Sequence, residues 1–430
     1  MPNATHHLKE DDELISYIRR IADPTRDGGV EAAFVAVQAL LDAHRASPST
    51  SELRQLCPSF GSVLLPLDLG RALREYDVGA AVTRRRFVAP SFRETREVLN
   101  LAVTHAVASR LRLVTLDADD TIYSDRGSLA ADSPVVPLLC ALLMRGIHVS
   151  IVTAAAYPGE PRKMESRISG LLQALGFAID CGAPAEALLE RLHVMCGECN
   201  YLLEPVVWRG SRDSSATVML REVPGEAWKN GRGVRWDHAE VARLLDTAAT
   251  SLVACAERLG LEVLVVRKPR AVGIIERPRS TATREAAAVV GVPATATVAT
   301  TSHVIDVVAP SRTTPYGGHT RGITFEVLEE VALGVQQSLA DAHIEVPYCV
   351  FNGGHDVFVD VGTKALGIRA LQARVGCAPE ETVHYGDRFT RTGWVPLPHR
   401  RLSCARPAVM RASLFIRPLF PAGMTCAHAT

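Results

Sequence analysis

Apolar positions recur at helical spacing along the first hundred residues. Between residues 11 and 21 they fall at Leu14, Ile15, Ile18 and Ile21, and between 31 and 44 at Ala33, Phe34, Val37, Leu40 and Leu41. Residues three and four apart share one helix face, so both stretches predict helices turned toward a core. Residues 46–51, serine-rich around Pro48, predict a turn. Ser91 predicts the N-cap of a further helix through Leu99 toward Ala108. Arg84, Arg85 and Arg86 form a short basic run, either a solvated face or a seat for an anionic effector.

At residue 111 the pattern changes. A β-branched apolar run, residues 111–116, ends abruptly in Asp117-Ala118-Asp119. That predicts a buried parallel strand opening into a loop. Side chains two apart on an extended segment point the same way, so Asp117 and Asp119 can address one reaction centre. Residues 134–145 predict an apolar helix closed by Gly146, and 147–152 a second buried strand ending at Thr153. Met164, Ile168, Leu171, Leu172 and Leu175 then mark one helix face. Strand, helix, strand at this spacing predicts a right-handed βαβ unit.

Residues 180–340 read differently. They hold a Gly-rich turn at 229–233, a helix over 237–259, a strand over 261–267, an ambiguous Ala/Val/Thr stretch at 281–301 and a turn at 314–318. This predicts a cap inserted into an α/β core. The core pattern returns at residue 348. Lys364 opens a helix through Leu371, and the short strand 382–385 runs into Gly386-Asp387. The expected division is 1–108 as an N-terminal helical regulatory or oligomerisation region, 109–178 as the first part of an α/β core, 179–342 as the cap, 343–393 as the second part of the core, and 394–430 as a tail.

Composition narrows the function classes. Lysine plus arginine and aspartate plus glutamate both number 47, a balance that argues against a general nucleic-acid or membrane-surface binder. No apolar run is long enough to span a bilayer. The first residues carry no apolar segment of secretory type, and the ten cysteines are scattered, so reduced thiols in the cytoplasm are expected. Cys196-Gly197-Glu198-Cys199 is a lone pair with no second half of a zinc set, and coincidence is its simpler reading.

Asp117, Asp119, Thr153, Lys364 and Asp387 line up as strand-end or helix-start features. They supply a nucleophilic carboxylate, a proton donor, a hydroxyl, a fixed cation and a metal-binding acid, the set that phosphoryl transfer needs. This arrangement resembles the haloacid dehalogenase superfamily of phosphohydrolases. The chain resembles most closely its IMP-specific 5'-nucleotidases, through residues 87–92, 117–129, 151–158, 267–273, 351–367 and 384–393. The resemblance runs from about residue 8 to Gly393.

The resemblance implies a haloacid-dehalogenase-like parallel Rossmannoid sheet with an inserted α+β cap, and hydrolysis of IMP to inosine and phosphate. It implies that Asp117 becomes an aspartyl phosphate, and that Asp119 protonates the leaving 5'-oxygen and then activates water. Thr153 and Lys364 would bind the phosphate. Arg167, Asp356 and Asp360 sit where the family places nucleotide-contacting residues. Asp117, Asp119 and Asp387 would hold magnesium, a hard cation that prefers oxygen. A homotetramer is also implied, with ATP or another purine nucleotide as activator.

One departure bears on activity. After Gly393 the family continues with Asn-Asp; here Trp394-Val395 follows, and no aspartate or glutamate stands from Arg388 to Thr430. The tail reads as an altered frame, a retained intron or a divergent natural end. It predicts weakened magnesium binding and reduced turnover. Two alternatives stay open: a phosphatase or phosphotransferase for another phosphomonoester, and a catalytically weak nucleotide-binding regulatory subunit.

Overall fold

The computed structural model describes residues 12–386, apart from 26–27, 59, 62, 64, 125–126, 211–214, 230–235, 278–302 and 309–322, with the backbone alone for 303–308. Asp387, the tail, the stretch 281–301, the turn 314–318 and most of the 229–233 turn lie outside the described residues.

Five helices form the N-terminal part: α1 (Glu13–Ile21), α2 (Gly29–Ala46), α3 (Glu52–Leu56), α4 (Leu69–Ala80) and α5 (Phe92–Ala108). Their apolar stripes meet in one core through Ile18, Phe34, Val37, Leu41, Leu53, Leu69 and Val98. Asp12 caps α1 by accepting the Ile15 N–H. Ser91 and Glu94 form a capping box on α5, satisfying two backbone donors that a helix start otherwise leaves open. Of the basic run, Arg85 holds Glu94 at 2.6 Å and Arg84 lies 3.8 Å from Asp77.

Eleven strands form two sheets among the described residues. They are β1 (Leu113–Leu116), β2 (His148–Val152), β3 (Leu192–Cys196), β4 (Tyr201–Trp208), β5 (Thr217–Val223), β6 (Glu262–Lys268), β7 (Ala271–Glu276), β8 (His303–Val308), β9 (Tyr348–Asn352), β10 (Asp356–Val361) and β11 (Thr382–Tyr385). The first sheet has the order β11-β1-β2-β3-β4-β5. Its first four strands are parallel and its last two antiparallel. The second has the order β8-β6-β7-β10-β9, antiparallel throughout. The remaining α-helices among the described residues are α6 (Val135–Met144), α7 (Pro161–Arg167), α8 (Ser169–Asp180), α9 (Ala185–Leu189), α10 (Gly225–Trp228), α11 (His238–Leu259), α12 (Phe325–Asp341) and α13 (Lys364–Val375).

The sheets divide the chain at points other than the expected boundaries. Strands β3, β4 and β5, placed by sequence in a 179–342 cap, extend the first sheet. Strands β9 and β10, placed in the second part of the core, close the edge of the second sheet. Short apolar runs identify a strand but not its neighbour; the hydrogen-bond register does that.

The single helix face expected from Met164 to Leu175 is broken at Ile168 (φ −122°, ψ 25°) into α7 and α8. The break lets the loop after β1 dock. Leu129 N–H donates to the Arg167 carbonyl at 2.7 Å, and Gly170 N–H to the Leu129 carbonyl at 2.9 Å. A Cβ at Gly170 would stand 2.3 Å from the Ala130 backbone, so only glycine allows this approach.

Strand β10 shows how the second sheet is used. Val357, Val359 and Val361 join the core against α11 and α12. Asp356, Phe358 and Asp360 alternate onto the opposite face. Cys349 is the cross-strand neighbour of Asp360, and Phe358 packs with Val266 and Ala271.

Candidate active site

Strand β1 is buried at all four positions, and its hydrogen bonds end with Asp117 N–H donating to the Tyr385 carbonyl at 2.8 Å. The chain then turns sharply. Ala118 N–H donates to Asp117 Oδ1 at 2.7 Å, and Asp120 takes a left-handed backbone (φ 54°). Asp117 is 8% exposed, so its charge needs a partner. Lys364, the first residue of α13, supplies it: Nζ stands 2.6 Å from Asp117 Oδ2. Thr363 caps α13 through its side chain, which fixes where that lysine starts.

Asp119 forms a short ion pair with Arg167, the last residue of α7. The Arg167 guanidinium lies 5.1 Å from the centre of the Tyr123 ring. Burial and the neighbouring Asp119 charge push the Tyr123 hydroxyl up to about 12, so it stays a neutral hydrogen-bonding group. Thr153, at the end of β2, is buried; its hydroxyl accepts the Ala155 N–H at 3.0 Å.

Asp356 and Asp360 project from one face of β10, with Lys268 of β6 on the same face. The Lys268 ammonium stands 5.3 Å from the Phe358 ring centre. Burial lowers the affinity of Lys268 for its proton, opposed by the charges of Asp360 and Asp356. Asp360 is 4% exposed, and burial, reinforced by Glu198, holds its carboxyl well above the usual range. The structure thus brings Asp117, Asp119, Thr153, Arg167 and Lys364 to the carboxyl end of the first sheet. Asp356 and Asp360 come from the second sheet, and Asp387 lies outside the described residues.

Sequence reasoning missed Glu198. Its carboxylate lies on the Lys364 backbone and close to Cys349 and Asp360, the ligand atoms of those three lying within 4.8 Å of one another. No periodicity marks this residue, and the two cysteines that flank it are the only local signal in its turn.

The described donors of the implied metal site are the Asp117 carboxylate and the backbone oxygens at Ala118–Asp119. An all-oxygen set of this kind fits a hard divalent cation. The Glu198–Cys349–Asp360 cluster, with its thiol, does not match that preference.

A carboxylate pair closing β1 within the parallel part of the first sheet, faced by a helix-start lysine and accompanied by a second, antiparallel sheet, defines a haloacid-dehalogenase-like α/β fold with a cap. The family model for IMP-specific 5'-nucleotidase matches residues 29–406. The chain therefore belongs to the IMP-specific 5'-nucleotidase family. Its match extends beyond Gly393, where the sequence resemblance was expected to stop.

The IMP-specific 5'-nucleotidase 1 of Aspergillus fumigatus is 35% identical over 353 residues, covering 81% of this chain and 67% of that protein. The protein of the same name from Schizosaccharomyces pombe is 31% identical, covering 85% and 82%. Among solved structures, IMP-bound Plasmodium falciparum IMP-nucleotidase, truncated at its N-terminus, shares the fold at a TM-score of 0.71. It is 24% identical, with 91% of this chain and 92% of that one covered. The ATP-bound form of the Plasmodium falciparum protein gives a TM-score of 0.70 at 23% identity, covering 94% and 81%.

Proposed function

We propose that this chain hydrolyses IMP to inosine and phosphate through an aspartyl-phosphate intermediate. The observation that carries the reading is the Lys364–Asp117 pair at 2.6 Å, with Asp119 two residues on. Asp117 Oδ is the nucleophile, and its attack breaks the bond between phosphorus and the ribose 5'-oxygen. Asp119 gives a proton to that oxygen and later takes one from the water that releases phosphate. Lys364 and Thr153 offset the charge of the phosphate oxygens. Arg167, Asp356 and Asp360 contact the nucleotide. Magnesium, held by Asp117, Asp119 and Asp387, would further neutralise the phosphate charge when bound.

The reading extends to a cytoplasmic homotetramer activated by ATP or another purine nucleotide through α1–α5. Among the described residues no helix is long and apolar enough to cross a membrane. Family membership supports the substrate, since the family and its relatives are IMP-specific 5'-nucleotidases.

Phosphate release from IMP with magnesium, on wild type and Asp117→Asn, tests the mechanism. The variant is expected to lose at least about a thousandfold in kcat, since its amide is no nucleophile. Full activity in Asp117→Asn would remove the nucleophile assignment. A panel of phosphomonoesters on which IMP is not preferred would remove the substrate.

A further inference from the structure

The turn Cys196-Gly197-Glu198-Cys199 joins β3 to β4 and lies against the start of α13. Burial pushes both thiols up, Cys199 to about 12, so neither is a ready thiolate. Between them Glu198 is buried, 4% exposed, and holds a left-handed backbone at φ 64°. Side chains with a Cβ are disfavoured there. Two hydrogen bonds place the residue. Its N–H donates to the Thr153 carbonyl at 3.1 Å. Its Oε2 accepts the Lys364 backbone N–H at 2.7 Å.

The contact between turn and helix is tight. A Cβ at Gly362 would stand 2.2 Å from Cys199 Sγ, and one at Gly367 2.6 Å from the Glu198 carbonyl oxygen. Asn200 Nδ2 donates to the Gly197 carbonyl at 2.8 Å and the Val361 carbonyl at 2.6 Å. The turn therefore grips the 361–367 segment on one side and the end of β2 on the other.

We propose that Glu198 is a positioning residue of the phosphate site. Its backbone N–H holds the Thr153 carbonyl and its side chain holds the Lys364 N–H, so one buried residue sets the spacing of the two beside Asp117. The proposal rests on the phosphohydrolase reading above. The carboxylate acts through the Lys364 backbone: it fixes the height of the first turn of α13, and hence where Nζ meets Asp117.

The test compares three variants of the full chain. Glu198→Gln keeps side-chain length and an oxygen to accept the Lys364 N–H. Glu198→Gly removes the acceptor and relieves the left-handed backbone. Glu198→Asn tolerates that backbone but is one methylene too short to reach. Phosphate release from IMP, calorimetric binding of inorganic phosphate and thermal midpoints are measured together.

Glu198→Gly and Glu198→Asn are expected to lower kcat/KM by about 30- to 100-fold and to weaken phosphate binding by about tenfold, at near-native thermal midpoints. Glu198→Gln is expected within about fivefold of wild type on both readouts. A purely structural residue predicts the opposite for glycine, unchanged or improved behaviour. Wild-type kcat/KM and phosphate affinity in Glu198→Gly and Glu198→Asn would overturn the proposal. So would a Glu198→Gln variant as impaired as they are. If wild type releases no phosphate from IMP, the substrate reading fails, and phosphate binding across the same variants still decides the role of Glu198.

Discussion

Asp117 and Lys364 stand 247 residues apart in sequence and 2.6 Å apart in space. Each makes the other tolerable in a buried setting. Removing the cation leaves a carboxylate uncompensated and, in the proposed mechanism, takes away a donor to the phosphate oxygens. Lys364→Met is therefore expected to lower kcat for phosphate release by about 10²- to 10³-fold, measured at saturating magnesium. His384 gives a residue-scale prediction about stability. It is buried on β11, 2.9 Å from the Thr115 hydroxyl, and burial lowers it from 6.5 to about 4. The fold holds it neutral. As pH falls below 6.5 the unfolded chain gains a proton that the folded chain takes only near 4. Stability is thus expected to fall across that window, by at most about 1.4 kcal/mol per pH unit from this group. Calorimetric thermal midpoints of wild type and His384→Gln check it; an equal slope in both would count against it.

At the scale of elements, helix α5 was legible from its first residue. Ser91 forms the expected cap, Glu94 completes it as a capping box, and Arg85 grips Glu94 at 2.6 Å. The Arg85 hydrogen bond, with the Ser91 backbone and hydroxyl assisting, lowers Glu94 to about 2. Its contribution is present above the ordinary value of 4.5 and is lost as pH falls toward 2. Glu94→Ala is expected to destabilise the protein by about 1–2 kcal/mol at pH 7 and by little near pH 2, read from urea unfolding. Other elements were less legible. The stripe from Met164 to Leu175 reads as one helix because apolar spacing continues through Ile168. The break there answers to the docking of Leu129 and Gly170, a contact between segments some forty residues apart. That break also leaves Arg167 at a helix end, where its guanidinium reaches Asp119.

At the scale of the molecule, the tail after Gly393 sets an expected limit on activity. The acid expected there from the family resemblance is absent, and no Asp or Glu follows Asp387. The double substitution Trp394→Asn, Val395→Asp is expected to raise turnover and to lower the magnesium concentration for half-maximal rate by about tenfold or more. No rise would show that the tail is not the defect. The sequence by itself determined the helical N-terminal part and strands such as β1, β2 and β11, and it pointed to five candidate residues, Asp117, Asp119, Thr153, Lys364 and Asp387. Strand-end acids and a helix-start lysine leave local signatures. Only the tertiary structure decided that β3–β5 extend the first sheet, that β9 and β10 close the second, and that Glu198 joins Thr153 to Lys364. Pairing between strands and a hydrogen bond across 166 residues depend on register and packing, which local pattern does not encode. The four-residue turn that looked like a stray cysteine pair became, through its buried glutamate, the link between Thr153 and Lys364.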